Sequence, residues 1–434
     1  MPYFIHSVRA ASRKKMQPAK VAMLAIAAAL CWSTAGAQAA GGETLTITLS
    51  GDVGLNPTNQ TVDPKGVTDG GFQTWADTTA NIAPDINGDL NFMNVETIVT
   101  DRNDLAPDLK GQSGPFNFRM HPNGLKHLIG TGFNVLSLAN NHSMDYGVPG
   151  LKETLKNVAA LRGKGVLAAA GIGNNFAEAA RTDVFKIKGS TIAFAATGII
   201  TNDLARHHAG ENSPGQTSYR SAEDFAAVRK GLTSTAADLR ILSVHYGTEG
   251  QVRTDDRQVS DFRGLAAGQD KIDLIVGHHA HVVRGVEMRG ASLIFYGLGN
   301  FLHHGTANIT GKGVCRDYGL FARVHLVKAA SGHFEVKAVE AIPMSDTHRK
   351  TRRMVGDSAS ARVHVLNYLA GTLDNASSGA KGLRFTPQKN GSGLYCVAGA
   401  EKLGGSIGTL CKSYTPAPAI PEGLRSSIAS SCSR

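Results

Sequence analysis

The strongest constraint in this chain is a series of short apolar segments, most of them followed closely by polar residues that could bind a metal. Thr44 to Leu49 alternates and is rich in β-branched residues, which predicts a strand, and Ser50-Gly51-Asp52 follows it. The remaining strands are predicted at 92–95, 133–138, 191–196, 239–244, 272–276 and 292–296, with a closing hairpin at 318–327 and 333–339. Predicted helices at 122–131 and 151–161 lie between strands, so the pattern favours a layered α/β sandwich.

Candidate ligands lie just past the carboxyl ends of these strands, where sites assemble in open α/β sheets. The sharpest signal is His279-Ala280-His281, since two imidazoles in a turn can converge on a cation. A solvated pair of loop histidines is the alternative. Other strands are followed by Asp52, Glu96, Asn141 and His245. Nitrogen and oxygen donors together suit one or two Mn, Zn or Fe ions rather than Ca, which prefers oxygen alone.

Six motifs follow one another in a fixed order along the chain. They are Gly51-Asp52-Val53, Asn94-Val-Glu96, Leu138-Ala-Asn-Asn-His142 with Asp145-Tyr-Gly147, His245-Tyr-Gly-Thr-Glu249, Gly277-His-His-Ala-His281 and Leu298-Gly-Asn-Phe301. This series resembles that of the CapA family, the capsule and poly-γ-glutamate biosynthesis proteins. The resemblance covers residues 44–345 and implies a calcineurin-like metallophosphatase fold, an α/β layered sandwich.

The resemblance also implies a set of metal ligands. One metal would be bound by Asp52 and His281, the second by Asn141, His245 and His279, with Glu96 bridging the two. Paired cations of this kind can clamp both oxygens of an in-line displacement.

Four further residues have roles implied by their place in the motifs or near them. His142 would stabilise or protonate the leaving oxygen, or else would only position Asn141. Glu249 and Asn300 would orient the ligands or contact a polymer. Arg119 would bind an anion near the site or form a surface salt bridge.

Two departures from the metallophosphatase pattern are visible. Gly54 stands where that pattern has a histidine, and Glu96 replaces the bridging aspartate. The first metal site therefore lacks one ligand, and a single-metal protein stays open. The pairs His207-His208 and His303-His304 are expected in solvated loops, with substrate or metal contact as the alternative.

The N-terminus predicts export. Five basic residues and no acidic residue lie in 1–40, so half of the formal charge of +10 belongs to this segment. An apolar run at 21–32 is too short to span a bilayer, and Ala37-Gln38-Ala39 resembles a cleavage signal. We therefore expect a signal peptide at 1–39 and a periplasmic or extracellular bacterial protein, with a membrane anchor as the alternative.

Four cysteines remain after this segment, and three of them lie in residues 346–434. An even count in an exported chain favours disulfides, and Cys396 with Cys411 is the favoured pair. The predicted organisation is a domain at 44–345 followed by a disulfide-stabilised C-terminal extension at 346–434.

Two classes of function fit these features. The first is an exported metal-dependent hydrolase of capsule or poly-γ-glutamate biosynthesis, or a periplasmic metallophosphoesterase, acting on an anionic polymer or a phosphorylated substrate. The second is a non-catalytic accessory protein that binds the polymer, with a membrane-bound capsule-synthesis complex as a candidate partner. No spacing or basic stripe indicates nucleic acid as a partner.

Overall fold

The structure is a computed structural model that describes residues 42–68, 71–200, 204–306, 313–375 and 379–433. The strands of the first half are β1 (Thr44–Gly54), β2 (Gly66–Val67), β3 (Gln73–Thr74), β4 (Leu90–Val95), β5 (Ile98–Val99), β6 (Arg119–Met120), β7 (Val135–Ser137), β8 (Ala168–Ala170), β9 (Ile172–Gly173), β10 (Asp183–Ile187) and β11 (Ser190–Gly198). Those of the second half are β12 (Gly215–Gln216), β13 (Leu239–His245), β14 (Leu274–His278), β15 (Val286–Arg289), β16 (Ser292–Phe295), β17 (Asn300–His303), β18 (Gly319–Lys328), β19 (Phe334–Ser345), β20 (Arg352–Arg353), β21 (Thr386–Pro387) and β22 (Gly393–Cys396). The helices are α1 (Trp75–Thr79), α2 (Pro122–Gly130), α3 (Gly147–Ala159), α4 (Phe176–Ala179), α5 (Leu204–His207), α6 (Ala222–Thr233), α7 (Asp256–Leu265), α8 (Gly356–Gly371), α9 (Gly405–Cys411) and α10 (Glu422–Cys432).

Two large sheets organise these elements. The first has ten strands in the order β21-β22-β19-β18-β1-β4-β7-β8, with β17 beside β1 and β20 beside β19. The second has six strands in the order β10-β11-β13-β14-β16-β15. Strands β1, β4, β7 and β8 are mutually parallel, as are β11, β13, β14 and β16. Their carboxyl ends are therefore the edges at which ligands are expected to gather.

The sheets pack face to face, with helices on both outer faces. Phe92 of β4 and Phe194 of β11 meet between the sheets, with ring centroids 6.1 Å apart. Alternate residues face the helices, since Met93 packs with α2 and α3 while Ala193 packs with α6 and α7. Strands buried on both faces read as continuous apolar runs, which explains their sequences. The layered α/β sandwich predicted from the sequence is confirmed.

The predicted helices and strands are found, most of them with ends within four residues of those expected, while β1 runs five residues further than predicted and β19 six. The hairpin is the antiparallel pair β18 and β19, which begins the antiparallel half of the ten-stranded sheet. The predicted signal peptide lies outside the described residues. Within the part of the chain that the structure describes, no helix is both long and apolar enough to cross a membrane.

Residues 346–433 add to both the sheet and its covering. Strand β22 pairs with β19, and buried residues of α8 such as Val363 join the cluster between the sheets. The predicted pair Cys396–Cys411 is confirmed, and a second disulfide joins Cys315 to Cys432. The domain boundary placed after residue 345 stays a prediction.

Candidate metal centre

Strand register brings the predicted ligands to the seam between the two sheets. Asp52 lies in β1 opposite Asn94 of β4 on one side and Asn300 of β17 on the other. Glu96 directly follows β4, and His245 is the last residue of β13. The carboxylates therefore come from the ten-stranded sheet, and the imidazoles from the six-stranded sheet.

Three groups of donors among the described residues are compact enough to hold an ion. One joins Glu249 to His279 and His281, and the other two share Glu96. In the first of these two, ligand atoms of Asp52, Glu96 and His281 lie within 4.8 Å of one another. In the second, the same holds for Glu96, His245 and His279. Because Glu96 Oε1 lies 3.3 Å from His245 Nε2 and 3.7 Å from His281 Nε2, one carboxylate oxygen faces both groups. This arrangement suits a bridging carboxylate between two cations.

Asn141 and Glu249 lie at the second group. Asn141 Oδ1 is 2.7 Å from His245 Nε2, so the amide oxygen faces the same space as that imidazole. Glu249 Oε1 is 3.9 Å from His279 Nε2, and its side chain is about half exposed. Glu249 therefore lies at the mouth of the site, where a ligand or substrate would enter.

The turn that carries His279 and His281 has an unusual backbone. Both residues have positive φ, 85° and 56°, although neither is glycine. A side chain at such a φ costs of order 1–3 kcal/mol, and such residues are concentrated at functional sites. Both imidazoles are buried, at 4% and 2% exposure, so they are not a solvated loop pair.

The electrostatics of the site favour a cation. Burial, and then the charge of Asp52, raise the pKa of Glu96 well above its ordinary value. Burial opposes ionisation of Asp52, yet hydrogen bonds with His278 and His281 lower its pKa well below the usual range. Burial also lowers the pKa of His281, but Glu96 and Asp52 outweigh it and raise that pKa to about 10. Two buried carboxylates therefore lie close together at a point where a bound positive charge would stabilise both.

The residues present fit a divalent metal. Both carboxylate oxygens of Glu96 are buried and have no hydrogen-bond partner among the described residues, which is costly unless something else binds them. Burial lowers the pKa of His279 to about 3, so its imidazole is neutral and keeps a lone pair. Carboxylate oxygen, amide oxygen and neutral imidazole together match the preferences of Mn, Zn and Fe. The assignment of each ligand to a metal stays a prediction.

His142 lies beside the donors in a buried charged network. Its Nδ1 is 2.7 Å from Asp145 Oδ2 and 3.2 Å from Lys110 Nζ. The shorter contact to a carboxylate assigns the proton to Nδ1 and leaves the Nε2 lone pair free. Burial lowers the pKa of His142 well below its ordinary value, and the Lys110 ammonium adds to the effect.

Two other motif residues are placed differently with respect to the site. Asn300 Oδ1 lies 2.9 Å from His281 Nδ1, so Asn300 orients that imidazole. Arg119 makes its contacts elsewhere, and its expected role as an anion ligand stays a prediction. Its guanidinium donates to the backbone carbonyls of Gln60 and Arg102 and lies over the Tyr146 ring.

Comparison with known families agrees with the motif series. A family model described as the bacterial capsule synthesis protein PGA_cap matches residues 46–304. The chain belongs to this family. The matched range contains every predicted ligand.

Two curated relatives show how far the similarity of this PGA_cap chain extends. The PGA biosynthesis protein CapA of Bacillus subtilis (strain 168) is 34% identical over 219 residues, which cover 50% of this chain and 53% of that protein. The capsule biosynthesis protein CapA of Bacillus anthracis is 32% identical over 174 residues, 39% of this chain and 40% of that protein. The chain thus spans about half the length, or less, of these curated relatives.

Among solved structures, the NAD nucleotidase of Haemophilus influenzae is 11% identical and covers 74% of this chain and 63% of that chain, with a TM-score of 0.38. The value is low, and the fold assignment rests on the strand order and layers described above. Two facing sheets with donors at their carboxyl ends give the PGA_cap chain a layered α/β fold.

Several buried residues of the PGA_cap site were missed or misread in the sequence. Asn94 donates to Asp52 Oδ1 at 2.8 Å and lies 3.1 Å from His245 Nδ1, so it orients a donor from each sheet. His278 Nδ1 lies 3.3 Å from Asp52 Oδ1. His303 was expected in a solvated loop, but it is fully buried and lies 3.5 Å from Glu96. Asn94 and His278 both lie within motifs of the series, and this position could have marked them as residues of the site.

Proposed function

We propose that this chain is an exported protein of capsule or poly-γ-glutamate biosynthesis or processing that carries a divalent-metal hydrolytic site. The observation that carries the proposal is the buried cluster in which Glu96 is shared by two groups of donors. A structural role alone does not require two groups that meet at one unsatisfied carboxylate. Membership of the capsule synthesis family supplies the biological setting.

Different residues of the chain have different roles in the proposed site. A bound divalent cation would polarise a phosphoryl or carbonyl oxygen of the substrate. Asp52 and Glu96 supply the negative charge that holds the cation, while Asn94 and Asn300 fix the orientation of Asp52 and His281. The half-exposed Glu249 lies where substrate enters.

His142 is suited to accept a proton rather than to donate one. Its imidazole is neutral, because burial and Lys110 disfavour the charged form. Since Asp145 holds the proton on Nδ1, Nε2 is the nitrogen that can receive a hydrogen bond or a proton from the attacking water. A role as a ready-made general acid for the leaving oxygen is disfavoured by the same charges.

The proposed substrate is an anionic polymer or a phosphorylated compound. Outside the N-terminal segment the chain keeps an excess of five basic residues over acidic ones. A mild positive charge favours encounter with an anionic substrate. The proposed location is the periplasm or the cell exterior, with a membrane-bound capsule-synthesis complex as partner.

Metal analysis followed by turnover tests the proposal. Purified mature protein should retain one to two equivalents of divalent metal, and His279→Ala should lose at least one. His333→Ala is the matched control, because His333 is exposed on the turn before β19. Hydrolysis of poly-γ-glutamate or of a generic phosphodiester should be lost in Asn141→Ala. Absence of metal from both wild type and His279→Ala would refute the hydrolytic site.

A non-catalytic polymer-binding protein is the second candidate. Gly54, which stands where the metallophosphatase pattern has a histidine, favours it. In that case the protein would retain metal and bind poly-γ-glutamate, yet Asn141→Ala would change no turnover because none would exist. Binding measured by sedimentation with labelled polymer separates the two candidates.

A further inference from the structure

We infer that His303 is a positioning residue of the metal centre, which holds the outer carboxylate oxygen of Glu96 by a hydrogen bond from Nε2. The inference rests on the proposed function, since it concerns the same metal site. It assigns a role to one of two adjacent histidines that the motif series does not include.

The backbone places His303 beside Gly54, two residues after the predicted ligand Asp52. Strand β17 runs parallel to β1, with Gly54 paired to His303, and His304 N donates to Gly54 O at 2.9 Å. A Cβ added to Gly54 would lie 2.9 Å from His303 Nε2 and 3.0 Å from its Cε1. The imidazole therefore occupies the space that a side chain at position 54 would need, and it fits there because Gly54 has no side chain.

The two oxygens of Glu96 face different neighbours. Oε1 faces the imidazoles of both donor groups, His245 and His281, as described above. Oε2 faces His303, with its Nε2 at 3.5 Å. One oxygen is thus directed to the cations, and the other is left to be held by the protein.

The hydrogen bonding of His303 assigns its tautomer. Gly305 N lies 3.3 Å from His303 Nδ1 and can only donate, so Nδ1 carries the lone pair. The proton is then on Nε2, which is buried and has no other hydrogen-bond partner among the described residues. A short movement of either side chain brings this N–H to Glu96 Oε2. A nitrogen that carries a proton is a donor and not a metal ligand.

Packing fixes the ring in this orientation. Phe118 lies edge-on to His303 at 4.9 Å between centroids, and His281 lies edge-on from the other side at 5.7 Å. The backbone of His303 is fixed as well, because its N donates to Thr347 O at 2.7 Å. Side chains that orient metal ligands in this way typically change metal affinity about 10- to 100-fold when they are lost.

The test compares variants that differ in one hydrogen bond. His303→Leu fills the space without a donor, whereas His303→Gln restores an N–H near the position of Nε2. Gly54→Ala displaces the imidazole without changing it. His304→Leu is the matched control, because His304 is the adjacent buried histidine and its ring nitrogens have no hydrogen-bond partner among the described residues. For each protein, Mn and Zn affinity is measured by titration calorimetry, and bound metal is counted by elemental analysis.

We expect His303→Leu and Gly54→Ala to bind metal about 10- to 100-fold more weakly at unchanged stoichiometry. His303→Gln should recover most of this loss, and His304→Leu should match wild type. Equal affinities for the Leu and wild-type proteins would overturn the inference, and so would a Gln variant as weak as Leu. Loss of a whole metal equivalent in His303→Gln would overturn it in favour of direct ligation. Wild-type protein that binds no metal would instead overturn the proposed function.

Discussion

Lys110 is a buried cation whose removal should be among the most costly single changes in the protein. Its side chain is 3% exposed and forms an ion pair with Asp145, which is 0% exposed. The same ammonium approaches His142 Nδ1 at 3.2 Å and donates to the carbonyl of Phe116 at 3.0 Å. Lys110→Met keeps an unbranched side chain that is one atom shorter, and it removes the charge and the donors.

The expected loss of folding stability comes from the charge that stays buried after its partner is removed. Removing one partner of a buried ion pair costs about 3–5 kcal/mol, because the other charge stays buried and uncompensated. Asp145→Asn alone should cost a similar amount for the same reason. The double variant has neither charge, and the amide oxygen introduced by Asp145→Asn can still accept the hydrogen bond from Phe118 N. We therefore expect the double variant to lie within about 2 kcal/mol of wild type.

The stability lost in Lys110→Met should also depend on pH. Burial raises the pKa of Asp145 to about 7, although Lys110 pulls it down. Because this pKa is raised in the folded state, stability falls as pH rises from the unfolded value near 4 towards 7, by up to about 1.4 kcal/mol per pH unit. At pH 5 Asp145 is mostly protonated, so Lys110→Met should cost less there than at pH 8.

Equilibrium urea unfolding of the four proteins, followed by circular dichroism, measures this cycle. Lys156→Met is the matched control, since Lys156 is 71% exposed and pairs with Glu153 at 3.4 Å. An exposed pair of this kind is worth at most about 1 kcal/mol. Costs that simply add in the double variant would show that the two charges do not depend on each other, and the reasoning would fail.

Three further predictions concern the ligands, the disulfides and the metal. Asn94→Ala should weaken metal binding about 10- to 100-fold in calorimetry, because Asn94 orients a donor from each sheet, and unchanged affinity would contradict this role. Replacing Cys396 and Cys411 by serine should cost about 3 kcal/mol in urea unfolding, and replacing Cys315 and Cys432 should cost more, since that disulfide closes a longer loop of 117 rather than 15 residues. Chelation should lower the unfolding free energy by about 2.7 kcal/mol relative to protein with metal at about 100 times its Kd, and identical unfolding curves would count against a bound metal.

Much of the fold could be predicted because its signals are local. Strands buried on both faces are continuous apolar runs, so β13 and β14 stand out in the sequence. The hairpin of β18 and β19 is visible by alternation alone. The end of β1 could not be predicted from the sequence. This strand extends to Gly54 because β17 pairs with its last residues. That pairing joins segments far apart in sequence.

The residues of the candidate site that could not be predicted were missed for a similar reason. The donors themselves could be named because they follow strands at motif positions. Asp145 lies just before α3, where a helix cap would be expected, yet the residue at the cap position is Tyr146 without a side-chain hydrogen bond, and Asp145 pairs with Lys110 instead. His303 resembled a loop histidine because nothing local indicates that β17 joins β1. Ion pairs and buried hydrogen bonds between distant segments are not encoded in the periodicity of either segment.

The seam between the sheets explains why the candidate metal ligands gather at this place. Each sheet alone offers an incomplete set, carboxylates and an amide from one and imidazoles from the other. Asn94 joins them directly, since its amide contacts Asp52 of its own sheet and His245 of the facing sheet. Edge-to-face packing of Phe92 against Phe194 helps to set the spacing of the two sheets, and that spacing decides whether Glu96 can face both donor groups. The core and the metal site therefore depend on the same packing, and a change that alters the distance between the sheets should alter the metal centre even when no ligand is touched.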